Sequence, residues 1–148
     1  MIRILTLMAI IFLMLSCNNR PATRTKTAAD SLFDEVMDGH NKAMAKIARL
    51  HETQKRVQQM LDSFSKLPAD IQRRSNRYKI QLDSALSRLK FADYAMEKWM
   101  NEFNMDSEAN NVGKRIKYLE SERIKISHVK DAVINSLQGA DSLVKRSP

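Results

Sequence analysis

The residue best placed to do chemistry is Cys17, the only cysteine in the 148-residue sequence. It follows Met14-Leu15-Ser16, and ahead of those lie a lone Arg3 and an unbroken apolar run from Ile4 to Leu13. A charged start, an apolar stretch too short to span a bilayer as a stable helix, and a small residue before a cysteine form the grammar of a cleaved export signal. With cysteine at the cut, the signal reads as that of a bacterial lipoprotein. Residues 1–16 are the expected signal peptide, and Cys17 becomes the lipid-bearing first residue. A single cysteine leaves no internal disulfide and no cysteine-based metal site to consider.

The other chemistry-bearing side chains do not assemble into a reaction. His40, His51 and His128 are the only histidines, and none has a second histidine at the spacing of a helical metal site. The sequence holds no nucleophile elbow, no glycine-rich phosphate loop and no carboxylate pair at a telling spacing. These absences point away from an enzyme, and no cofactor is expected.

Charge is the stronger signal. The chain carries a formal +8, and removing residues 1–16 takes away Arg3 alone, leaving +7. A basic cytosolic protein would suggest nucleic acid. An exported one points instead to envelope polyanions such as peptidoglycan carboxylates, lipid headgroups and acidic glycans.

Low glycine, low proline and few aromatics in a charged chain argue for an all-α fold. Residues 17–29 combine the lipidated cysteine with a polar, acid-free stretch and read as a flexible tether. The helical domain is expected over residues 30–146. Asp30 and Ser31 are candidate caps for a first helix, whose apolar period runs through Val36, His40, Ala43, Ile47, Leu50, Gln54, Val57, Leu61 and Phe64. Pro68 suits the first position of a second helix, with Ile71, Ser75, Tyr78, Leu82, Ala85, Leu89, Ala92, Met96, Trp99 and Phe103 on one face. After a polar stretch from Asn104 to Asn111, a third stripe follows Ile116, Leu119, Ile126, Val133, Leu137, Ala140 and Val144.

Three helices of about 35 residues, or roughly 50–55 Å each, joined by short connections predict an up-down-up antiparallel three-helix bundle. The competing arrangement is a helical hairpin that associates as a coiled coil. In the bundle, the segments nearest the anchor hold five cations against eight acids. The far segments, 52–80 and 131–148, hold nine cations against five acids. Arg73, Arg74, Arg77 and Lys79 are therefore the candidate contacts for an acidic partner at the far tip. A solvated, locally paired helix surface, with pairs such as Glu120 and Arg123, is the plainer account of the same charges. At the anchor-side pole, Phe33, Met37, Met96, Trp99, Met100, Phe103 and Ile116 should gather. Trp and Met at helical spacing mostly pack inward, but Trp99 and Met100 are also candidates for a partner-binding patch.

Three blocks of the chain resemble a family of small lipoproteins from Bacteroidota that often carry the label "viral A-type inclusion protein". Val36-Met37-Asp38-Gly39-His40-Asn41-Lys42-Ala43-Met44 is similar to its Val-Met…His…Met opening. Ala92 to Phe103 resembles its Ala…Met…Trp-Met…Phe block, and Tyr118 to Ser136 its closing helix. The resemblance implies an envelope protein anchored through lipid and supplies no activity; the expected place for the chain is the outer membrane, facing the periplasm. It also implies that Asp30-Ser31, Asp83-Ser84 and Asp141-Ser142 match the short O-glycosylation pattern of that phylum.

The expected function is that of a non-enzymatic spacer or adaptor, held in the membrane by Cys17, with a basic tip for an acidic glycan or an envelope protein. The alternative is a periplasmic chaperone-like or complex-subunit module that binds through the Met/Trp pole. Self-association is compatible with either.

Overall fold

Thr27 starts the first helix, ahead of the Asp30-Ser31 pair expected to cap it. Its hydroxyl accepts the backbone N–H of Asp30 at 3.1 Å, and the Asp30 carboxylate accepts the N–H of Thr27 at 2.9 Å. Two otherwise unpaired donors are satisfied reciprocally, which is why the helix begins where it does. The computed structural model describes residues 25–145. Cys17, the expected signal peptide, and the tether up to Arg24 lie outside the described residues.

Four helices follow: α1 (Ala28–Ser65), α2 (Ala69–Arg74), α3 (Asn76–Glu102) and α4 (Val112–Val144). No strand occurs among the described residues. The helices pack against one another, α1 most extensively on α4, and the short α2 chiefly on α3. Most helical stability in a protein comes from packing an apolar face, so the apolar stripes hold the fold. Val36, Ala43, Leu50, Val57, Leu61 and Phe64 are buried on α1. All but Phe64 share one core with Leu82, Ala85, Leu89, Ala92, Met96 and Trp99 of α3, and Leu119, Ile126, Val133, Leu137, Ala140 and Val144 of α4. Burying each large aliphatic side chain stabilises by about 1.5–3 kcal/mol.

Cross-helix polar pairs record the register. Arg123 donates to Glu35 at 2.9 Å, so the Glu120–Arg123 pair expected from the sequence is not formed. Further along α1, Arg49 pairs with Asp141. Gln54 donates to the Leu89 carbonyl at 3.2 Å, and His51 meets Asp93 at 2.9 Å.

The second helix expected from the sequence is two helices. Ser75 sits at φ −102°, ψ 12°, and Ser-Asn is a poor pair for helix continuation because both side chains favour local alternatives. Gln72 holds α2 against the end of α1, its amide donating to the carbonyls of Ser65 at 3.1 Å and Leu67 at 2.7 Å. As a result Ile71 is exposed and Ser75 only half-buried, although both fall on the expected stripe.

The polar stretch is a connection, as its composition predicts, and the α3–α4 turn is tied down from α4. Tyr118 accepts the N–H of Asn104 at 2.8 Å, and Arg115 donates to the Ser107 carbonyl at 2.7 Å. Asn111 caps α4 by accepting from Lys114 N–H at 3.0 Å.

Candidate functional site

The four basic residues singled out from the sequence fall on α2 and the first turn of α3, but they do not act as one cluster. Arg73 and Lys79 line the same surface concavity, together with Phe64, Ala69, Gln72 and Asn76. Its volume is about 400 Å3. Arg74 lies outside it, 3.9 Å from Asp70 on its own helix, and Arg77 is exposed elsewhere on α3.

Lys79 is held by Asp83 at 2.7 Å. Arg73 and Arg77 have no ion-pair partner among the described residues. The Arg73 guanidinium is therefore free to offer its planar fork of donors to a carboxylate or phosphate. Gln72 complements it. Its amide nitrogen is committed to the α1 end, which leaves the side-chain oxygen as an acceptor for an N–H or O–H group. The corner can thus hold an anion against an apolar floor at Phe64. It contains nothing arranged to transfer a proton or attack a carbonyl.

At the opposite pole, Phe33 of α1, Trp99 and Phe103 of α3, and Tyr118 of α4 form a chain of rings. Trp99 stacks on Phe103 with centroids 4.7 Å apart, and Phe103 lies 6.2 Å from Tyr118 and 6.5 Å from Phe33. The Arg115 guanidinium sits over Phe33 at 5.8 Å, within the range of a cation–π contact. Trp99 is only 5% exposed. Of the two candidate contacts here, it faces the core, while Met100 is 42% exposed.

The residue that sequence reasoning missed is Glu122. It is 3% exposed, and its carboxylate accepts the Trp99 indole N–H at 3.0 Å and the Lys125 ammonium at 2.7 Å. A buried charge is tolerated when it is paired and hydrogen-bonded. The hydrogen bond that Lys125 donates to Glu122 holds its ammonium above its ordinary pKa, against a smaller opposing effect of burial. The spacing gave a faint signal: Glu122 falls three residues after Leu119 and four before Ile126, on the apolar face.

The histidines stay apart. His40 lies beside Trp99, with ring centroids 5.5 Å apart, His51 pairs with Asp93, and His128 is exposed. Among the described residues no three His, Cys, Asp or Glu side chains are grouped to hold a metal ion. No described helix is long and apolar enough to cross a membrane. Comparison with family models, with curated proteins and with solved structures finds no match for the chain.

Proposed function

We propose that this chain is a lipid-anchored, non-enzymatic adaptor of the bacterial cell envelope, related to the Bacteroidota lipoproteins it resembles. Residues 1–16 are removed on export, Cys17 carries the lipid at the outer membrane, and the domain faces the periplasm on its polar tether. The domain is an up-down-up three-helix bundle whose middle helix is interrupted at Ser75. The pairs Glu35–Arg123, Arg49–Asp141 and Gln54–Leu89 support that arrangement. The bundle presents its α1–α2–α3 corner, far from the anchor, to an acidic glycan, peptidoglycan or an acidic envelope protein.

The observation that carries this reading is the unpaired Arg73 on a concave wall shared with Lys79, Gln72 and Asn76. The alternative, a binding module at the Met/Trp pole, draws support from the exposure of Met100 and Met105.

Salt separates the two. Immobilised protein is loaded with purified sacculi or solubilised envelope and eluted with a salt gradient. Attraction through Arg73 and Arg77 weakens as screening shortens its range, whereas an apolar contact persists. Release of acidic polymer at moderate salt, abolished by Arg73→Glu with Arg77→Glu, is the expected result. A protein retained at high salt and lost on Met100→Ala would favour the alternative. Retention unaffected by either change would remove both.

A further inference from the structure

Thioether sulfur gathers around one imidazole where α1 meets α3 at the Trp99 pole. Met37, His40 and Met44 are spaced three and four residues apart on α1, which makes them neighbours on one face of the helix. The antiparallel register adds a donor from α3. His51 meets Asp93 at 2.9 Å. Seven residues back along α1 and seven forward along α3, about two turns of each helix, Met44 falls level with Met100. Met44 and Met100 are 38% and 42% exposed, while Met37 and His40 are half-buried. The cluster therefore sits at the lip of the helix pair, within reach of solvent, and not among the core side chains.

His40 is prepared as a ligand. Its Nδ1 lies 3.2 Å from Asn41 Oδ1. That oxygen can only accept, so Nδ1 carries the proton and Nε2 keeps the lone pair that binds a metal ion. A fixed tautomer of this kind is what a hydrogen bond to the second ring nitrogen gives a metal-binding histidine. The ring is also held beside Trp99, with centroids 5.5 Å apart.

We propose that His40 Nε2 and the sulfurs of Met44 and Met100 bind one Cu(I) ion, with Met37 as a further thioether beside them. Thioethers are soft donors suited to Cu(I), whereas zinc sites are built from thiolate, imidazole and carboxylate. No three groups of that second kind gather among the described residues. Asp38, the acid nearest His40 in the sequence, is held by Lys42 at 2.6 Å. The inference stands on the α1–α3 edge and requires neither the anchor nor the basic corner to act as proposed above.

The test uses the full chain with Cys17→Ser, which removes the thiol as a competing soft ligand. Ag(I) serves as the probe, since it shares the donor preference of Cu(I) and keeps its oxidation state in air. Trp99 is the only tryptophan, so one equivalent of Ag(I) bound at His40 should quench its fluorescence. Cu(I) supplied without oxygen should compete for the same site, and an equal concentration of Zn(II) should leave the emission unchanged. Met44→Leu and Met100→Leu nearly conserve volume. Each should weaken binding by about tenfold or more, and so should Asn41→Ala by releasing the imidazole. Met105→Leu, in the α3–α4 connection, should bind as the parent does. Absence of one-to-one quenching, parent-like affinity in both Met44→Leu and Met100→Leu, an equal response to Zn(II), or equal weakening by Met105→Leu would overturn the site.

Discussion

The Trp99 indole and the Glu122 carboxylate hold each other inside the helical core, joined by a 3.0 Å hydrogen bond between two residues almost wholly removed from water. Trp99→Phe should leave that carboxylate oxygen without its buried donor. Hydrogen bonds to charged groups are worth about 1.5–3 kcal/mol, and the loss should appear in full as a lower urea midpoint. Glu122→Gln keeps an acceptor oxygen and should cost less. A Trp99→Phe protein as stable as the parent would mean that water replaces the indole.

Lys125 contributes to the same arrangement with a defined pH signature. Its folded pKa lies above the ordinary 10.5 because it donates to Glu122. The stability it adds is therefore complete below the ordinary value and is lost as pH rises through the folded one. Its side chain is about half exposed, so solvent screens the effect and the gain is small. Urea midpoints taken from neutral pH into the range above 10.5 should fall further for the parent than for Lys125→Met. Parallel curves would remove Lys125 from the account.

Gly39 of α1 lies closely against Ile126 of α4. A Cβ at this position would meet Ile126 Cγ2 at 3.1 Å, tighter than ordinary contact. Gly39→Val should overpack the interface and cost about 1–3 kcal/mol, despite the better helix propensity of valine. Combining it with Ile126→Ala should recover part of that loss, measured as a double-mutant cycle in urea.

Thr27→Ala removes the hydroxyl that accepts the Asp30 N–H and leaves the backbone N–H of residue 27 to the Asp30 carboxylate, so half of the first cap is lost. The expected cost is about 1 kcal/mol. Amide exchange should accelerate in the first turn of α1 and remain unchanged around Leu50. Uniform acceleration along α1 would show that the cap stabilises the whole helix.

Much of the fold was legible because apolar period and helical burial are nearly the same information. Val36, Ala43, Leu50 and Val57, or Leu119, Ile126, Val133 and Ala140, are buried where their spacing places them. Three things were less visible. Asp30 looked like a cap by residue type, yet it serves as the third helical residue of a box opened by Thr27. The break at Ser75 depends on Gln72 reaching back to α1, a tertiary contact that no local pattern encodes.

Glu122 was hidden for a different reason. A charge on an apolar stripe reads as an intrusion until its indole partner, 23 residues away, is known. The basic group was recognised by composition. That only Arg73 and Lys79 share a concavity followed from the turn between α2 and α3, which sequence spacing did not give.

The extensive packing of α1 on α4 sets an order in time. Its ion pairs join residues 88 and 92 positions apart, so the first helix cannot acquire its main partner until the last has emerged. Contacts of such long sequence separation close late, after the chain has met a large loop-closure cost. A growing or threaded chain of this sequence can pair α1 with α3 but cannot complete its core until its final thirty or so residues are free. Machinery that engages the chain before α4 is free would meet a two-helix hairpin with an open apolar face, not a closed core.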